Sequence, residues 1–183
     1  MFRTTKSGVE RLRQIEYLKS LIREAFSYLE RDGKGYVIRE EISSIMRYFG
    51  QFPSEAQVVD IILPEIQEDE PTTYVYYEKF EKYMLNSIIS NEFEPDDAET
   101  LLAAFRILDP EGKGYIEVDA MKKLLMKEGI PFYEQEWQEF ERYSVDAETN
   151  VINYEDYVSR LVLENEKHIN NLMKGLEKFK YPY

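Results

Sequence analysis

The groups best placed to do chemistry in this 183-residue chain are the oxygens of one short run, Glu30-Arg31-Asp32-Gly33-Lys34-Gly35-Tyr36-Val37-Ile38-Arg39-Glu40-Glu41. Their spacing is that of a twelve-residue calcium loop: carboxylates at positions 1, 3 and 12, a backbone carbonyl at 7, and glycine at 6 for the sharp turn. Glu30, Asp32, Tyr36 and Glu41 are the candidate metal ligands. The frame is imperfect. Glu30 is one methylene longer than the usual aspartate, and Lys34 at position 5 removes a ligand and sets a cation beside a dication. That repulsion amounts to several kcal/mol at an effective dielectric of about 20.

The same frame recurs. Ala25 to Gly50 matches Ala104 to Gly129, 79 residues later, with Phe26/Phe105, Gly33/Gly112, Lys34/Lys113, Gly35/Gly114 and Tyr36/Tyr115 among the identical pairs. The second copy, Asp109 to Ala120, again has lysine at position 5 and loses the position-12 acid to Ala120. Val75 before Tyr77-Glu78-Lys79-Phe80 and Ile152 before Tyr154-Glu155-Asp156-Tyr157 stand where a partner loop would place its strand residue. Counting back, loop two is Glu68 to Lys79, with Pro71 inside it, Thr73 where glycine is needed and Lys79 in place of the last carboxylate. Loop four, Asp146 to Asp156, closes only as an eleven-residue loop without a turn glycine. Helix–loop–helix at a fixed offset marks these as four degenerate EF-hands. The expectation is that they keep their fold without an ion and hold no cofactor, calcium at hand one staying open as the alternative.

The elements that must position these loops follow from periodicity. A capping box, Ser7-x-x-Glu10, opens a helix to Leu29 with Val9, Leu12, Ile15, Leu18, Ile22 and Phe26 at three- or four-residue spacing. Ile42, Ile45, Met46 and Phe49 stripe the next helix, and Gly50 stops it. Ser54-x-x-Gln57 opens a third, with Val58, Ile61 and Ile62 on its apolar face, and Tyr77 to about Ile89 forms a fourth. In the second half the helices fall at Asp97 to Leu108, Val118 to Lys127, Tyr133 to Tyr143, and Tyr154 to about Phe179. The fold class is all-α: two calmodulin-like lobes with short paired strands between loops and long terminal helices. The lobes are expected at 1–90 and 98–183, joined by a linker at 91–97 that contains Pro95.

Composition removes most other functions. With no cysteine and one histidine, His168, the chain offers no Cys–His nucleophile, no Cys-containing zinc site and no disulfide framework; no Ser-His-Asp triad or phosphate loop is visible either. No enzyme is expected. A net charge of −13 argues against nucleic acid or an anionic membrane as partner, and no run of 18 apolar residues could span a bilayer. Acidity concentrates in residues 91–183, net −10, which favours a basic protein partner.

Several motifs carry a closer likeness. Glu70-Pro71-Thr72-Thr73-Tyr74-Val75, Leu101 to Asp109, Glu128-Gly129-Ile130-Pro131-Phe132, and Asp146 to Asn150 followed by Ile152 to Tyr157 resemble the EF-hand subunits of the nexin–dynein regulatory complex. The wider resemblance, from Ser7 to Glu166, is to the calmodulin superfamily. The closer likeness implies residence in the cytoskeleton of motile cilia or flagella, on the axoneme. It further implies an adaptor that grips helices of coiled-coil or IQ-motif subunits. Candidate partner-binding residues are Met121, Met126, Glu139 and Glu141 in the second lobe, with Leu172 and Leu176 on the final helix, whose apolar surface is expected to dock on a neighbouring subunit. Two alternatives stay open: a calcium sensor that opens on binding, and a calcium-independent light chain of a motor.

Overall fold

The computed structural model describes residues 8–30, 32–68 and 73–177. Ser7 of the first capping box, Pro71 of loop two and the helix end at Phe179 lie outside the described residues. Helices α1 (Gly8–Leu29) and α2 (Ile42–Tyr48) flank strand β1 (Tyr36–Ile38). Next comes α3 (Glu55–Gln57), which runs through a π-helical turn, Val58–Ile62, into α4 (Leu63–Ile66). Strand β2 (Tyr74–Tyr76) and helix α5 (Tyr77–Ser90) complete the first pair of hands. The second pair repeats the order with α6 (Ala98–Leu108), β3 (Tyr115–Glu117), α7 (Val118–Leu125), α8 (Glu134–Ser144), β4 (Val151–Asn153) and α9 (Tyr154–Glu177).

Each pair of loops is tied by a two-stranded antiparallel ladder, with Val37 opposite Val75 and Ile116 opposite Ile152. These are the β-branched residues expected at position 8, and all four are buried. The turn glycines Gly35 and Gly114 sit at φ 78° and 82°, the left-handed region that strains other residues. Loop four has no glycine and uses Asn150 at φ 54° instead.

Two compact units result, Met1–Pro95 with Lys167–Tyr183, and Asp96–Glu166. The boundary near 95 falls inside the expected linker. The final stretch from Lys167, assigned by the sequence reading to the second lobe, packs with the first instead. The physical reason is core composition: Leu176 is buried among first-unit side chains, with Leu172 and Met173 packed against them.

In the first unit, Leu18, Ile22 and Phe26 of α1 are buried, as their spacing requires. Val9 and Leu12, expected on the same stripe, are exposed, and Gln14 takes the inward position one turn before Leu18. Ser54 and Gln57 form the expected reciprocal cap. The π turn then shifts the register, so Val58 and Ile62 are buried while Ile61 faces solvent. A fully buried aliphatic or aromatic side chain contributes about 1.5–3 kcal/mol. With eighteen buried apolar residues in this cluster, hydrophobic burial is a large stabilising contribution to the unit.

The second unit is built on less. Its buried apolar set is Ile116, Val118, Met121, Trp137, Ile152, Tyr154 and Val158. Helix α6 buries none of its residues, although Leu101, Leu102, Phe105, Ile107 and Leu108 lie on it. Its first-unit counterparts Ile22 and Phe26, aligned by the repeat with Leu101 and Phe105, are fully buried.

Candidate functional site

Two sites were legible in the sequence, the loops and an apolar groove, and the structure treats them differently. In loop one the Glu30 carboxylate accepts a hydrogen bond from the Gly35 backbone N–H, and Lys34 pairs with Asp32 at 3.6 Å. In loop three Asp109 accepts from the backbone N–H of Lys113 (3.0 Å) and of Gly114 (2.8 Å), and from the Tyr154 hydroxyl (3.1 Å). The Lys113 and Gly114 amides and that hydroxyl hold its carboxyl below the usual range, against the desolvation that opposes them. Lys113 itself pairs with Glu111 at 2.7 Å. Asp146 of loop four is likewise lowered, chiefly by the Thr149 backbone N–H.

Calcium needs six to eight oxygens converging at about 2.3–2.6 Å. Glu30, Asp32 and Glu41 are not brought together in that way: among the described residues no group of three or more His, Asp or Glu side chains is placed to hold a metal ion. Tyr36 adds no side-chain ligand, its ring resting instead 4.3 Å from that of Tyr74. The side-chain carboxylates of the described residues do not converge as a calcium site needs.

Loop two carries a feature that the sequence reading passed over. The Lys79 ammonium lies 3.1 Å from the Glu68 carboxylate and donates to the Gln67 carbonyl at 2.8 Å. Glu at position 1 facing lysine at position 12 was the available signal, since a cation in that place can face the loop's own acid.

The second candidate is the partly covered apolar cluster of the second unit. Met121 is buried, Met126 half-buried, and around them Leu102, Phe105, Leu124, Leu125 and Phe140 are only partly covered. Phe105 stacks on Tyr154 with centroids 5.7 Å apart and meets the Tyr157 ring edge-on at 5.9 Å, so the ring is held but only half-buried. The Trp137 indole N–H is buried and has no acceptor among the described residues. Glu139 is exposed beside Arg142, and Glu141 is half-buried on the same helix. This unit carries 18 acidic and 7 basic residues, net −11, so its overall field is anionic. Leu172 and Leu176, by contrast, pack in the first unit, Leu176 buried and Leu172 half-buried.

No family model matches the chain. It is 35% identical over 157 residues to Dynein regulatory complex protein 8 of Mus musculus, spanning 86% of this chain and 94% of the relative. The chain belongs to the dynein regulatory complex protein 8 family. A Chlamydomonas reinhardtii protein of that name is 33% identical across 80% of this chain and 91% of its own length. Among solved structures, the Physarum polycephalum myosin II regulatory domain is similar at TM-score 0.61 and 27% identity, covering 79% of this chain and 94% of that one. This member of the dynein regulatory complex protein 8 family thus has the calmodulin-like EF-hand fold, with loop acids engaged by backbone amides and lysines and a second unit whose helix α6 buries none of its residues.

Proposed function

We propose that the chain is a non-enzymatic, calcium-independent adaptor of the dynein regulatory complex in motile cilia or flagella, and that its second unit grips an amphipathic helix of a larger coiled-coil or IQ-motif subunit. The observation that carries this is α6, an apolar helix with no buried residue in an otherwise folded unit. A groove of that kind takes a helix through apolar anchors at i, i+3, i+4 and i+7. The surrounding net charge of −11 selects a basic one. Family membership supports the complex, and the closed loops support independence from calcium. Purifying the protein from cilia after cross-linking and identifying its neighbours by mass spectrometry tests the reading. Cross-links from α6 and α7 to helical subunits of the complex are expected. A motor heavy chain as the cross-linked helix would replace this reading with that of a light chain, a rival favoured by the likeness to a myosin regulatory domain.

A further inference from the structure

The first unit already contains a helix seated as a partner's would be. Of residues 167–177, Ile169, Leu172, Met173 and Leu176 have the i, i+3, i+4, i+7 spacing by which an amphipathic helix enters a groove. Leu176 is buried and Leu172 and Met173 pack beside it. The seat is shaped for close approach at two glycines. A Cβ at Gly50 would come within 2.7 Å of Ile169 Cδ1, and one at Gly175 would lie 1.9 Å from the Tyr17 hydroxyl. At one end His168 Nε2 lies 2.9 Å from the Tyr48 carbonyl, in the last turn of α2, with its ring edge-on to the Tyr48 ring at 5.0 Å. At the other, the Gln14 amide donates to the Leu176 carbonyl at 3.4 Å.

The segment supplies a small part of the unit's buried core. Of the eighteen buried apolar residues in the first cluster, Leu176 alone comes from 167–177. Lys167, His168, Asn170, Asn171 and Lys174 on the segment are exposed. Tyr48 is also shared with an adjoining apolar pocket of about 430 Å³, lined by Leu21, Ala25, Leu29 and Ile45, which the segment leaves empty. A helix with one more apolar side chain would gain that pocket as well.

We infer that residues 167–177 are a detachable internal occupant of a helix-receiving groove on the first unit, exchanged for an amphipathic helix of the same apolar spacing when the partner supplies one. This rests on the adaptor reading and adds to it a second, normally covered grip. Exchange of this sort is a population shift between self-occupied and partner-occupied states. The chain would then bind through its second unit first and through both only after displacement.

The test uses the full chain carrying Leu172→Glu and Leu176→Glu, which releases the segment, and a fluorescent peptide of residues 165–177 added in trans. The released chain is expected to bind the peptide at least tenfold more tightly than the wild type, and a peptide carrying the same two glutamates should not bind. A folded variant, shown by retained helical circular dichroism, that binds no better than the wild type overturns the inference. So does a variant that unfolds, because the segment would then be an integral part of the core. Hydrogen exchange on the wild type gives an independent reading: amides of 167–177 should exchange well ahead of those in α1 and α5, and exchange only with global unfolding counts against detachment. Failure here with helical subunits still cross-linked to α6 and α7 leaves the adaptor reading in place. Loss of those cross-links in the wild type removes that reading instead.

Discussion

Lys79 and Glu68 face each other at 3.1 Å across the ends of the second loop, at the positions where an EF-hand places its last and first calcium ligands. The cation that closes this loop is part of the chain. Lys113 with Glu111 and Lys34 with Asp32 set an ammonium against a loop acid in the same manner. Each of these lysines stands against an acid of its own loop, beside ladders that pair Val37 with Val75 and Ile116 with Ile152. What these pairs contribute can be measured one at a time.

Lys79→Met should cost about 1 kcal/mol of unfolding free energy, because the pair is half-exposed and screened while the bond to the Gln67 carbonyl adds a modest amount. Urea denaturation of the variant checks this. A cost above about 3 kcal/mol would mean a far better shielded pair than the structure shows.

Calorimetry with calcium at about 0.1 mM, above the usual sensor range, should show no saturable heat. Lys34 beside Asp32, Ala120 at the third loop's last position and Lys79 at the second's each remove part of a ligand set. A tight site abolished by Glu41→Gln would restore the sensor reading.

Phe26 and Phe105 occupy equivalent positions in the two repeats but not equivalent surroundings, the first fully buried and the second partly covered. Phe26→Ala should therefore cost about 3–5 kcal/mol. Phe105→Ala, which the repeat by itself predicts to be as severe, should cost about half as much or less, and should weaken partner binding instead. Thermal unfolding paired with pull-down of the complex separates the two effects.

Asp109 ties α6, the third loop and Tyr154 together. Its carboxyl is lowered in the fold, chiefly by the Lys113 backbone N–H, so it contributes stability that is present above the ordinary carboxylate pKa of about 3.9 and is lost as pH falls through the folded value. Asp109→Asn should destabilise the second unit at neutral pH, and the gap from wild type should narrow on acidification below about pH 4. A gap that stays constant with pH would show that the ionised form is not what the loop holds.

Glu139→Lys with Glu141→Lys should weaken binding of the basic partner helix, and more at 0.05 M than at 0.5 M salt, since exposed charges interact across a Debye length of about 10 Å at 0.1 M ionic strength. Titration of the partner at the two salt concentrations is the measurement. An equal loss at both would place these glutamates in the packed interface and not on its rim.

Most of the fold was legible because short-range rules decide it. Glycine at loop position 6, a β-branched residue at position 8, Ser54 with Gln57 at a helix start and the offset between repeats each act within a few residues of chain, and the structure has all of them. The lysines and the alanine at ligand positions are read from the sequence directly, since each removes an oxygen whatever surrounds it.

Tertiary packing decided the rest. Periodicity marks Phe26 and Phe105 alike as apolar, and Ile169, Leu172 and Leu176 as a stripe, but cannot say what each stripe meets. Burial depends on which surfaces of distant sequence come together. Here Gly50 and Tyr17 receive the final helix into the first unit, so Leu176, expected to reach another subunit, is buried in its own chain while α6 stays uncovered. The Lys79–Glu68 pair belongs with these: both residues were in view, and only the closure of the loop brought their charges within 3.1 Å.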